Sequence, residues 1–211
     1  MKQHYAIDEY GICRRSLRLM HKFLLLSVCL FSLCACDSSS STSRVVVETE
    51  TDSSPRITED ELITRLSVDL VAEPSTQAER ERNAIINYAI DNLLDVQQSA
   101  TGLYYEIIKN GQGEQLNWGD YIEAHYKGYF MNGTIFDSTY PRKQAMQFYI
   151  GNMIDGWNEA LQNIAPGGHI RLLIPSALAY GEKGVILSKG DTLVPPNSIL
   201  LFDIEVLKKL R

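Results

Sequence analysis

Thiolate and imidazole chemistry can be placed or excluded by residue spacing in this chain of 211 residues. All four cysteines, Cys13, Cys29, Cys34 and Cys36, fall within the first 36 residues. The remainder therefore carries neither a disulfide framework nor a thiolate metal site. His125 alternates against Tyr126 on a strand pattern and is expected to face solvent, and His169 has no His or carboxylate partner at metal-ligand spacing. Asn132-Gly133-Thr134 matches a glycosylation acceptor, but a tight hairpin turn accounts for it. What remains is an apolar site. Trp157, Leu161 and Ile164 recur at i, i+4 and i+7 with Ala160 beside them, making one apolar helical face. Trp157 is expected at the bottom of whatever pocket forms there.

The elements that must hold such a pocket are mostly strands. The helical pattern Ile154–Ile164 has Asp155 as its expected N-cap and is stopped by Pro166-Gly167-Gly168. Strand patterns flank it at Leu103–Lys109, Asp120–Phe130, Thr134–Asp137, Gln147–Ile150, Ile170–Ile174 and Ile199–Leu207. Ile122, Ala124 and Tyr126 point one way on the second of these, as do Leu200, Phe202, Ile204 and Val206 on the last. A lone helix among strands must bury its face on a sheet. The expected fold is α+β, a curved antiparallel sheet (a half-barrel) wrapped around one short helix. A long loop, Ala179–Asn197, separates the last two strands, and a loop of that length is usually functional.

Helical patterns precede the sheet. Thr58 with Glu61 reads as a capping box, followed by Leu62, Leu66 and Leu70. After Pro74-Ser75-Thr76 a second helix is expected from Gln77 to Gln98, with Ile85, Ile86, Ala89, Leu93 and Val96 on one side and Gly102 ending it. This region, 58–100, is either a pair of amphipathic helices packed on the main domain or on each other, or a neck for homodimerisation.

Residues 1–36 read as a signal: Arg14, Arg15, Arg18 and Lys22 precede the apolar run Phe23–Ala35, with Met20 as an alternative start. That run is shorter than the roughly 20 residues a membrane span needs. Leu33-Cys34-Ala35-Cys36 resembles the bacterial lipobox, with Ala35 before a lipidated Cys36. The resemblance implies a lipid anchor to a membrane in a bacterial cell envelope, and 37–57 is then a Ser/Thr-rich tether. The formal net charge is −6, which argues against nucleic acid as a partner.

Five pieces in order carry a wider resemblance: His125-Tyr126-Lys127-Gly128, Gly133 through Phe136-Asp137-Ser138, Ile154-Asp155-Gly156-Trp157, Ala179-Tyr180-Gly181, and Val194-Pro195-Pro196-Asn197 running into Leu201–Glu205. Over 101–211 the chain resembles the FKBP-type peptidyl-prolyl cis-trans isomerases, and its helical lead-in is similar to the macrophage infectivity potentiator-like envelope members. The resemblance implies a prolyl pocket of Tyr126, Phe136, Trp157 and Phe202, completed by Asp137, Met153, Ile154, Tyr180 and Val194. Phe136, Asp137 and Tyr180 would act on the twisting amide, with Tyr180 and the Ile154 N–H as donors and Asp137 either meeting the twisted carbonyl or holding neighbouring side chains in place. Substrates would be proline-containing polypeptides, and the chemistry needs no metal and no cofactor. A binding module or chaperone that keeps the fold without catalysis is the alternative. Three departures stand out: Met146 where an aromatic is usual, a shortened rim stretch, Gly151–Ile154, and an insertion, Val185–Asp191, that could form a flap over the site or a chaperone-like surface.

Overall fold

The computed structural model describes residues 57–188 and 190–211. The signal, the Cys36 anchor, the alternative start and the tether up to residue 56 lie outside the described residues.

Helix α1 (Glu59–Ser67) starts in the expected capping box, with Thr58 accepting from the Glu61 N–H and the Glu61 carboxylate accepting from the Thr58 N–H. Helix α2 (Gln77–Asp91) repeats the device with Thr76 and Glu79. It ends at Asp91, well short of Gln98. Leu93 takes φ +52°, a left-handed conformation that cannot continue a helix. The Leu94 N–H then closes back on the Ala89 carbonyl. Leu93 is left 58% exposed, while Val96 reaches the core from a turn. Gln97–Gln98 forms a short strand, β1.

The strands that follow are β2 (Tyr104–Lys109), β3 (Tyr121–Tyr129), β4 (Ile135–Ser138), β5 (Met146–Tyr149), β6 (His169–Ile174), β7 (Val185–Ile186), β8 (Thr192–Val194) and β9 (Leu200–Lys209). Helix α3 (Asp155–Ala160) sits between β5 and β6 and tightens into a 3₁₀ turn over Leu161–Asn163. The main sheet has the order β1-β2-β6-β9-β3-β4, with β5 also on β3, and its pairings are antiparallel.

Strand alternation sorts side chains to two cores. The concave face sends Ile122, Ala124, Tyr126, Ile170, Leu172, Phe202 and Ile204 against Trp157 and Ala160 of α3 and Leu161 of its 3₁₀ turn. On the other face Tyr104, Leu173 and Leu201 receive Leu62, Leu66, Ile85, Ile86 and Ala89 from α1 and α2. Each of these Leu and Ile side chains contributes about 1.5–3 kcal/mol by leaving water. The apolar stripe of the helical pair is thus covered by the chain's own sheet. The remaining outer face is polar: Arg171 Nε donates to Asp203 Oδ1 and its Nη1 to Glu106 Oε2, both at 2.9 Å.

Three local expectations need correction. Ile154, not Asp155, is the N-cap of α3, and it makes no side-chain cap bond. Asp155 is the first helical residue, where a carboxylate meets the positive end of the peptide dipoles. His125 lies on the face opposite Tyr126, as expected, but is only partly open to solvent. It is half-buried, its Nδ1 lies 2.9 Å from Thr139 Oγ1, and its ring stacks on Tyr140 at 5.1 Å. The segment 179–197 is not an open loop: a 3₁₀ turn (Gly181–Lys183) leads into a hairpin of β7 and β8. Gly184 permits that hairpin, with φ +60° and a carbonyl, that of Val194, 2.3 Å from where a Cβ would stand.

Candidate active site

Four aromatic rings arrive from four elements. Tyr126 comes from β3, Phe136 from β4, Trp157 from α3 and Phe202 from β9. Trp157, 2% exposed, is the floor. Tyr126 and Phe202 both meet it edge-on at centroid distances of 5.1 Å. Phe136 meets Phe202 edge-on at 5.5 Å. Such T-shaped contacts direct positive ring edges at negative faces and hold the walls upright. The floor is low because α3 lies close to the sheet. A Cβ on Gly156 would stand 2.7 Å from Ile174 Cγ2.

The rings enclose a cavity of about 330 Å³ lined by Tyr126, Phe136, Asp137, Asn152, Met153, Ile154, Trp157, Tyr180 and Phe202. Of the residues expected here, Val194 is the one placed elsewhere: it is fully buried on β8 in the concave core.

The rim is polar. The Tyr126 hydroxyl donates to Asp137 Oδ2, and Arg142 Nη2 approaches Asp137 Oδ1 at 3.5 Å. Burial, and then the hydrogen bond and charge of Asp137, push the Tyr126 phenol up to about 12. Burial and the Asp137 charge also raise Tyr180. Both phenols therefore stay protonated, and so remain donors, across the physiological range. Tyr180 is 40% exposed, and its hydroxyl has no partner among the described residues. The same holds for the Ile154 N–H, which sits outside the intrahelical ladder of α3.

A family model described as FKBP-type peptidyl-prolyl cis-trans isomerase matches residues 112–207. The crystal structure of AtFKBP13 is 38% identical, and the match covers 55% of this chain and 98% of that one with a TM-score of 0.50. The chain belongs to the FKBP-type peptidyl-prolyl cis-trans isomerase family. The FKBP-type isomerase FkpA of Escherichia coli (strain K12) is 39% identical over 141 residues, covering 63% of this chain and 50% of FkpA. The crystal structure of FkpA from Escherichia coli aligns with a TM-score of 0.54 at 33% identity, over 69% of this chain and 63% of that one. The isomerase Mip of Coxiella burnetii is 34% identical over 127 residues, 60% of this chain and 53% of Mip. The chain spans about half the length of these curated relatives.

Several residues of this FKBP-type site escape the sequence patterns. Asn158 is buried within α3, and its Oδ1 accepts from the Gly151 and Met153 N–H groups at 2.8 and 3.1 Å. Its Nδ2 donates to the Met153 carbonyl at 2.6 Å. One amide thus fixes the rim loop that presents Met153 and Ile154. Thr139, also buried, fixes the backbone of Tyr126: its hydroxyl accepts from the Tyr126 N–H at 2.9 Å. Gly128 leaves room for two walls, since a Cβ there would stand 2.6 Å from Phe202 and 2.8 Å from Phe136. Only Asn158 carries a sequence signal, being a polar residue on the Trp157–Leu161 face of the helix.

Proposed function

We propose that the protein accelerates cis-trans isomerisation of X–Pro bonds in polypeptides, with the aromatic cavity holding the proline ring. The carrying observation is the pairing of that aromatic cavity with two rim donors that have no partner among the described residues, the Tyr180 hydroxyl and the Ile154 N–H. Rotation about the amide faces roughly 18–20 kcal/mol because resonance is lost midway. No covalent partner is needed. Water bonded to the prolyl amide carbonyl stabilises the planar, polar form, and the apolar walls exclude that water. Burial of the pyrrolidine ring against Trp157 supplies affinity. Tyr180 and Ile154 donate to carbonyls flanking the bond and fix the substrate's path. Phe136 narrows the cavity beside Phe202. Asp137, with its oxygens turned to Tyr126 and Arg142, acts mainly by holding the Tyr126 wall. Val194 supports the site from behind.

The test is the isomerisation rate of a short X–Pro peptide with the wild type and with Phe136→Ala. Acceleration by the first and a large loss in the second is expected. A wild type that gives no acceleration, on the peptide or on a refolding protein limited by proline isomerisation, overturns the proposal. Non-catalytic binding has one observation of its own, Ile186, 66% exposed, and its neighbour Leu187 on the β7–β8 hairpin. It predicts suppression of client aggregation that survives Phe136→Ala.

Lipidation of Cys36 and a place at a bacterial cell envelope are part of the same proposal, supported by the Ala35-Cys36 junction after an apolar run. Labelling with a tagged fatty acid that persists in Cys36→Ala would refute it. Dimerisation through 58–100 has left to it only the apolar groups that the sheet does not cover, Val68 and Leu70 among them, and sedimentation of the soluble chain decides it.

A further inference from the structure

Helix α2 lies outside the residues that match the family model, yet it reaches the segment that carries Tyr180. Glu81 does this. It is 4% exposed, on a helix whose other charged residues face water, and no cation pairs with it among the described residues. Its Oε2 accepts from the Ser176 N–H at 2.8 Å and its Oε1 from the Ser176 hydroxyl at 2.6 Å. Gln77 Nε2 adds a third bond at 2.7 Å. A carboxylate buried this far is costly unless each oxygen is hydrogen-bonded, and a charge-assisted bond is about twice as strong as a neutral one. The acceptor is placed where it is needed. Ser176 opens a 3₁₀ turn, Ser176–Leu178, and its N–H is one of the donors a helix start leaves unpaired.

Beyond the turn the chain is held by the Gly184 N–H on the Tyr180 carbonyl at 3.2 Å and the Asn197 N–H on the Gly181 carbonyl at 2.8 Å, but the turn itself has little behind it on the α2 side. Between α2 and this turn lies a second cavity of about 360 Å³, lined by Gln77, Glu81, Tyr104, Ser176, Leu178 and Gly181 among others. Leu178 and Ala179 lean on the concave core in front, but on the α2 side the Glu81 bonds span a gap. From Ser176 the chain runs through a tight turn, with the Ala179 N–H on the Ser176 carbonyl at 3.0 Å, to Tyr180 at the pocket mouth.

We propose that Glu81 is a positioning residue for the isomerase site: from α2 it anchors the turn that aims the Tyr180 hydroxyl. This rests on the isomerase reading above. The helical region is then part of the catalytic unit as well as a connection to the tether.

The test uses the full chain with Glu81→Ala, Glu81→Gln, Tyr180→Phe and the two double variants, scored by kcat/KM on an X–Pro peptide and by amide exchange over 176–180. Glu81→Ala is expected to lower kcat/KM about tenfold, the worth of one transition-state hydrogen bond. Glu81→Gln, which keeps an acceptor for the Ser176 N–H, should lose much less. In the Tyr180→Phe background neither Glu81 change should cost more. Faster exchange at 176–180 should accompany Glu81→Ala. Multiplying losses in the double variants, or wild-type kcat/KM in Glu81→Ala, would overturn the proposal. Should Glu81→Ala fail to fold, Glu81→Gln and its double variant make the same comparison. Should the wild type prove inactive, the isomerase reading fails by itself, and unchanged exchange at 176–180 would then refute the anchor.

Discussion

Gly128→Ala adds one methyl group at the most crowded point of the pocket wall. Its Cβ would stand 2.6 Å from Phe202 Cε1, 2.8 Å from Phe136 Cζ and 3.1 Å from Phe136 Cε2. Carbon atoms rest at about 3.5–4.0 Å, so the rings must withdraw by roughly 1 Å. Phe202 cannot, because it is buried and held edge-on to Trp157. Phe136 can: it is half-buried on the short edge strand β4 and swings toward the mouth. Overpacking of this kind costs about 1–3 kcal/mol. At roughly 2–4 °C per kcal/mol for a unit of this size, the melting midpoint falls by about 2–12 °C. The chain remains folded at 25 °C, but a wall displaced by about 1 Å lowers kcat/KM by tenfold to a hundredfold. A coupled X–Pro assay beside a thermal melt measures both. Adding Phe136→Leu should return part of the melting midpoint and none of the activity. A folded Gly128→Ala protein with wild-type kcat/KM would refute the assignment of Phe136 as a wall that must not move.

Asn158→Ala strips partners from two N–H groups and a carbonyl; a loss of about 2–4 kcal/mol, a raised KM and faster exchange at Gly151 and Met153 are expected, and an unchanged KM would mean the rim loop holds itself. Burial raises Tyr126, Tyr129 and Tyr140 to about 12, so stability from them is complete below the unfolded value near 10 and drains as pH climbs through 12. Denaturant midpoints between pH 8 and 12 should fall less steeply in Tyr129→Phe; tyrosinate absorbance from these residues in the native protein at pH 11 would contradict this. Arg171→Ala, which removes the outer-face bridge between Glu106 and Asp203, should cost about 1–2 kcal/mol after allowance for partial exposure and leave kcat/KM intact. Lost activity with an unchanged melt would show that the outer face feeds the pocket.

What the sequence conveyed, and what it did not, divides along the reach of the forces involved. Period-two alternation through Ile122, Ala124 and Tyr126 is a local signal, and β3 follows it. So is the Thr58–Glu61 cap. The end of α2 is not local. Ile90 to Val96 keeps helical spacing, but the outer core takes Leu94 and Val96 by letting Leu93 turn left-handed, a tertiary preference overriding propensity. Strands β7 and β8 are too short to show alternation, and their pairing depends on the room left by Gly184. Asn158 and Glu81 carry only a partial signal, for a common reason. Each is a polar residue on an apolar helical face, and its partners lie on a backbone that no helical pattern predicts.

The sheet order has a consequence for how the molecule comes into being. β9 leaves the ribosome after the other eight described strands, yet it lies between β6 and β3, joined to both along most of its length. Until Leu200–Lys209 is available, β3 with β4 and β5 forms one ribbon and β2 with β6 another, and no strand pairing joins them. Phe202, which touches the other three rings, arrives on that same strand. A nascent chain without β9 therefore lacks the Phe202 wall of the pocket. It carries two open strand edges that invite mispairing, and the late, sequence-distant closure makes folding slow. The interval before that closure is when the chain itself most needs protection from aggregation.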